Sequence, residues 1–151
     1  MSHVVAIKTE LRDIEAVKRA CAELGLKFKE GQKKIRWFGK WVNDYSAADA
    51  AYKLGIKTTD YGKCDHAIEV PGSNYDVGLI HNPETNGYKI YFDFFGSNGE
   101  KIQQAIGVGG ERLLQYYGVN KAEMEAEKMG YFYERTIVPG TKKIQVTITG
   151  V

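Results

Sequence analysis

From Tyr88 to Phe95 the chain alternates. Tyr88, Ile90, Phe92 and Phe94 fall on one side of an extended backbone, and Lys89, Tyr91 and Asp93 on the other. That period of two is the signature of a strand with one face against a core. Tyr75 to Ile80 is its natural partner, because the intervening His81-Asn82-Pro83-Glu84-Thr85-Asn86-Gly87 ends in the Asn-Gly of a reversing turn. A second hairpin is written near the carboxy end. Tyr131 to Val138 and Lys142 to Thr149 flank Val138-Pro139-Gly140-Thr141, with Pro and Gly in type II turn positions. There Ile144, Val146 and Ile148 face one way and Lys143, Gln145, Thr147 and Thr149 the other.

Helical spacing supplies the rest. After the short apolar strand Val4-Val5-Ala6-Ile7, Asp13 reads as an N-cap with Glu15 in the first turn. Leu11, Ile14, Val17, Cys21 and Leu24 recur every three or four residues, and Gly25 suits the C′ position. Leu26 to Lys29 and Lys34 to Phe38 are further strand candidates. Ser97 and Glu100 match a capping box for a helix through Ile102, Ala105, Ile106, Leu113, Leu114 and Tyr117, and Asn120 with Glu123 repeats that logic for a second helix ending at Gly130. The order predicts an α+β fold, a largely antiparallel sheet with helices on one face, as in ferredoxin-like folds. At 151 residues this is one domain, 1–151, with an irregular insertion from Asn43 to Asp65.

A net charge of +2 gives the whole molecule no strong attraction to nucleic acid or anionic membrane, so such a role needs a local patch. Cys21 and Cys64 are too few for a disulfide framework and have no CxxC spacing. The amino terminus lacks the features of a signal peptide, and no stretch reaches the roughly 20 apolar residues of a membrane span. A cytoplasmic location is the expectation. Nothing here sets the oligomeric state, and a homo-oligomer is compatible with it.

The opening Met1-Ser2-His3-Val4-Val5-Ala6-Ile7-Lys8-Thr9 resembles the hypothetical chloroplast reading frame thirty-five family, also known as domain of unknown function twelve fifty-seven. Tyr75-Asp76-Val77-Gly78-Leu79, the strand from Tyr88 to Phe95, and Gly130-Tyr131-Phe132 through Ile144-Gln145-Val146 are similar to further segments of that family. The plastid-type members have no counterpart of Trp41 to Asp65, and Gly107-Val108-Gly109-Gly110 is richer in glycine than the family's helix. The family occurs in cyanobacteria, plastids and bacteriophages, and a bacteriophage-type member is the expectation. The family has no assigned activity or catalytic residues. Its members lie beside AAA+ ATPase genes, which implies an accessory role with such an ATPase as partner.

Three segments are candidate sites. Lys27 to Trp41 carries six positive charges and one negative, interleaved with Phe28, Trp37, Phe38 and Trp41. Basic groups contact phosphates and aromatic faces stack on bases, so Lys33, Lys34, Arg36, Trp37, Lys40 and Trp41 are the candidate ligand-binding set for a nucleotide-like anion. The same pattern also fits a ribbon with its aromatics in the core and its lysines in water.

The second segment runs from Asp44 to His66 and holds Asp44, Tyr45, Asp49, Asp60, Tyr61, Cys64, Asp65 and His66. An acid and base could be built there. Adjacent residues of an extended chain diverge, however, and no pair has zinc-ligand spacing, so no metal and no cofactor are expected. The third, Gly107-Val108-Gly109-Gly110-Glu111-Arg112, could cradle phosphate with backbone amides, but it lacks the Lys-Ser/Thr of a P-loop, and a helix break or close helix–sheet contact is the plainer reading. The leading expectation is a non-enzymatic binding or accessory protein for a partner protein or a small anionic ligand. The alternative is a small enzyme with its site around Asp44–His66.

Overall fold

The computed structural model describes residues 4–37 and 62–150. Strand β1 (Val4–Leu11) leads into α1 (Ile14–Leu24), then β2 (Lys27–Lys29), β3 (His66–Glu69), β4 (Asp76–Asn82), β5 (Gly87–Asp93), α2 (Gly96–Ile106), α3 (Glu111–Lys128), β6 (Phe132–Ile137) and β7 (Ile144–Thr149). The first five strands form one antiparallel sheet in the order β1-β5-β4-β3-β2, and β6-β7 form a separate two-stranded sheet. The α+β class is therefore as the sequence predicts. Phe38 to Tyr61, which include Lys40, Trp41, Asp44, Tyr45, Asp49 and Asp60 of the expected sites, lie outside the described residues, as does His3.

Alternation decides the core. Val77 and Leu79 of β4, with Ile90 and Phe92 of β5, turn one face of the sheet toward Val17 and Cys21 of α1, Ile102 and Ile106 of α2, and Leu113 of α3. Each such fully buried side chain contributes about 1.5–3 kcal/mol. The helices thus occupy one face. On the other face Tyr91 is also fully buried; its ring covers Gly78, its cross-strand neighbour, and its hydroxyl donates to the Lys63 carbonyl. A Cβ at residue 78 would meet that ring.

Asp13 caps α1, its Oδ1 accepting from the amides of Glu15 (3.0 Å) and Ala16 (3.3 Å), and Gly25 closes the helix at φ +73°. Other expectations are corrected. Lys34 to Phe38 is no strand over its described part: Lys34 makes only an isolated bridge with Lys63. Ser97 is not the N-cap, because α2 begins at Gly96 and Ser97 already lies inside it; the capping residue is Phe95, whose amide donates to Asp93 Oδ1 at 2.9 Å. Asn120 starts no helix. It lies buried within α3, donating to Glu23 Oε2 and to the Tyr116 carbonyl, each at 2.8 Å. The break between helices falls instead at Gly107–Gly110, as one reading of that segment expected, and Gly110 packs directly on Ile7.

The β6-β7 hairpin does not join the main core. A two-stranded sheet is marginal alone, and this one rests on α3. Ile144 and Val146 are half-buried there, and Arg135 reaches Glu123 of α3 (2.7 Å) and Glu23 of α1 (2.6 Å). Those two carboxylates, Glu123 first, hold the Arg135 guanidinium more firmly protonated than an isolated arginine.

Candidate functional site

Three of the five described basic residues of the ribbon are answered from within. Lys29 lies 3.6 Å from Glu69, Lys33 3.7 Å from Asp65, and Arg36 2.7 Å from Asp76. These acids arrive from β3, β4 and the Cys64–Asp65 turn, which sequence distance hides. Lys34 is exposed, Ile35 buried and Trp37 half-buried, with the indole lying against Gly62. The structure therefore brings Lys33, Lys34, Arg36 and Trp37 together along one short stretch, with Arg36 committed to a buried carboxylate.

Cys64, Asp65 and His66 diverge, as their adjacency predicts. Cys64 Sγ donates to the Gln32 carbonyl (3.0 Å), Asp65 Oδ2 accepts the His81 amide (2.7 Å), and His66 Nδ1 accepts the Gly31 amide (2.9 Å). Burial, reinforced by Asp65 and Asp76, pushes the Cys64 thiol up to about 11, and burial pushes Cys21 up to about 12. Neither presents a thiolate at neutral pH. Among the described residues no three His, Cys, Asp or Glu side chains are grouped to hold a metal.

The glycine-rich turn is also occupied from within. Glu111, the first residue of α3, folds back so that its carboxylate accepts the amides of Val108 (3.2 Å) and Gly109 (2.7 Å). Its own amide first, and then those of Gly109 and Val108, hold the Glu111 carboxyl below its ordinary value. The protein supplies the anion that this turn would otherwise attract.

Beside that turn lies an open groove of about 670 Å³, between the first two turns of α3 and the tip of the hairpin. Its volume falls within the range of small-molecule sites, roughly 300–1,000 Å³. Arg112, Lys142 and Lys143 line it with Tyr116, Ile137 and Ile144, and Glu111 is the one acid among the described residues that line it. None of the three cations forms an ion pair among the described residues, and Arg112 lies over the Tyr116 ring, 6.0 Å from its centroid.

The walls are fixed to each other. The Gln115 side chain donates to the Lys142 carbonyl and accepts the Ile144 amide, both at 3.3 Å. The tip is closed by Thr141, whose amide donates to the Val138 carbonyl (3.1 Å) and whose Oγ1 accepts the Lys143 amide (3.1 Å). Sequence reasoning missed this site because Arg112 and Lys142 are distant along the chain. The local signals were the Gly107–Arg112 segment, one wall of the groove, and the adjacent Lys142-Lys143 at a hairpin tip.

No family model, curated protein or solved structure matches this chain.

Proposed function

We propose that this protein is a non-catalytic binding protein that takes a small organic anion of nucleotide size in the helix–hairpin groove. The observation that carries this reading is that Arg112, Lys142 and Lys143 line one groove and form no ion pair among the described residues, while Lys29, Lys33 and Arg36 of the Lys27–Arg36 stretch each lie beside an acid. Tyr116 and Ile137 give the same groove an apolar body against which a ring can lie. An accessory role, implied by the family resemblance, agrees with a site that binds and does not react, and an AAA+ ATPase is the partner that resemblance proposes.

Thermal-shift and calorimetric titration with inorganic phosphate, pyrophosphate and nucleoside triphosphates test it. A nucleotide should raise the melting temperature, with affinity falling as salt rises. Replacing Arg112, Lys142 and Lys143 by Ser should abolish that response, whereas Lys33→Ser with Lys34→Ser should preserve it. A groove variant that binds like the parent overturns the proposal.

A further inference from the structure

The hairpin that forms one wall of the groove has two edges, and among the described residues that of β6 is the more open. The Val138 amide donates to the Lys143 carbonyl at 2.9 Å, so these two residues form a hydrogen-bonded pair. Antiparallel alternation then makes Thr136–Gln145, Glu134–Thr147 and Phe132–Thr149 the bonded pairs of the ladder. The amides and carbonyls of Tyr133, Arg135 and Ile137 consequently point away from β7. On β7 the outward set is Ile144, Val146 and Ile148, but Gln115 takes the Ile144 amide and α3 packs mainly on that strand. Nothing described here caps the β6 edge. Two of its side chains are the most exposed apolar groups of the hairpin, Phe132 at 71% and Ile137 at 68%, ahead of Ile148 of β7 at 43% and Tyr133 at 40%.

We propose that β6 pairs with β6 of a second copy of this chain, antiparallel, about a two-fold axis through Arg135. The sequence of the edge selects that occupant and that register. Residues whose backbone groups point outward must face one another, so the numbers of each pair sum to 270. Tyr133 then stands opposite Ile137 twice over, an aromatic against a β-branched residue. Phe132 stands opposite Val138, and Glu134 opposite Thr136.

Arg135 meets Arg135, but each already carries Glu123 and Glu23 at 2.6–2.7 Å and turns toward its own helices. The register centred one residue earlier sets Glu134 against Glu134, and Glu134 has no ion pair among the described residues. Odd-sum registers place opposite faces together and are excluded by the pleat. The product is a continuous four-stranded sheet β7-β6-β6-β7. It satisfies the open edge and gives the hairpin the extra strands that an isolated pair lacks. Pairing does not depend on the anion site.

Sedimentation velocity on the full chain across a concentration series should show the mass rising from 16.9 kDa toward twice that value. Two double variants test the register: Tyr133→Lys with Ile137→Lys, and Tyr133→Glu with Ile137→Glu. Each alone should lose the dimer, and a one-to-one mixture should recover it as a mixed dimer. A parent protein that stays monomeric, or double variants that dimerise as the parent does, overturns the proposal, and so does a mixture that stays monomeric. Should a variant fail to fold, amide exchange of the unaltered protein decides. The Arg135 and Ile137 amides should slow as concentration rises, and exchange independent of concentration refutes the pairing.

Discussion

Arg36 and Asp76 hold each other through backbone and side chain at once. The Asp76 amide donates to the Arg36 carbonyl (2.9 Å), the Arg36 amide donates to Asp76 Oδ2 (2.8 Å), and the guanidinium grips Oδ1 through Nη2 at 2.7 Å. Asp76 is buried at 2% exposure, whereas Arg36 is half-exposed, so the carboxylate is the partner that depends on the pair. Its charge raises the affinity of Arg36 for its proton. Arg36 therefore serves to pin the stretch after β2 onto β4, and any ligand test on this stretch should alter Lys33 and Lys34 alone.

Among the described residues, Arg36→Ala leaves the buried Asp76 carboxylate with only the backbone donor of residue 36. The expected loss is about 1–3 kcal/mol in urea unfolding. Arg36→Lys keeps the charge but not the two-pronged geometry, and should recover part of that loss. Equal stability of Arg36→Ala and the parent would show that the pair contributes nothing.

Phe92 lies fully buried where α1, α2 and α3 meet the sheet, while Val146 is half-buried on the separate hairpin. Phe92→Ala should cost about 3–5 kcal/mol. Val146→Ala should cost only about 1 kcal/mol, from the smaller apolar area it removes from water. Similar denaturant midpoints for the two variants would mean that the hairpin belongs to the main core after all.

Gly110 has φ +71°, and a Cβ there would collide with the Ile7 side chain at its Cδ1. Gly110→Ala should therefore lose about 1–2 kcal/mol from backbone strain and a further 1–3 kcal/mol from overpacking. Ile7→Val deletes that Cδ1. In an Ile7→Val background the added cost of Gly110→Ala should fall toward the backbone share, which a double-mutant cycle measures.

His66 sits between the rings of Phe28 and Tyr88, and burial holds its imidazole below its ordinary value of 6.5. Its Nδ1 accepts the Gly31 amide and must be unprotonated to do so. Below pH 6.5 the unfolded chain binds this proton and the folded chain resists it. The contribution is thus complete above 6.5 and declines as pH falls through that value. His66→Gln keeps an acceptor but does not titrate. Its stability should fall less steeply than the parent's between neutral and mildly acidic pH, and parallel curves would refute the assignment.

What was legible in the sequence were the elements whose own side chains decide them. Asp13 and Gly25 bound α1 with local groups, and the alternation from Tyr88 to Phe95 sorted Ile90 and Phe92 from Lys89 and Tyr91. Illegible were features made by distant partners. Ser97 looked like a cap, yet α2 starts before it at Gly96, where Asp93 reaches forward to the Phe95 amide. Asn120 looked like one too, yet it answers Glu23 across 97 residues. The Lys27–Trp41 charge excess overlooked Glu69, Asp65 and Asp76, and the groove joins Arg112 to Lys142 and Lys143 through a hairpin whose docking on α3 no local pattern announces.

Glu111 joins stability to the proposed site with opposite signs. Its carboxylate satisfies the Val108 and Gly109 amides, a capping arrangement worth about 0.5–2 kcal/mol. It is also the one negative charge among the described residues lining the groove, beside Arg112, Lys142 and Lys143. Glu111→Ala should therefore lower the melting temperature of the free protein. At the same time it should tighten binding of a nucleotide, because two backbone donors at the start of α3 are released and one repulsive charge is removed. Glu111→Gln keeps an acceptor for the amides without the charge, so its stability should lie between the two while its binding also tightens. Calorimetric titration alongside thermal melting reads both effects in the same samples. A Glu111→Ala protein that melts earlier and binds nucleotide more weakly would place the anion elsewhere than in this groove.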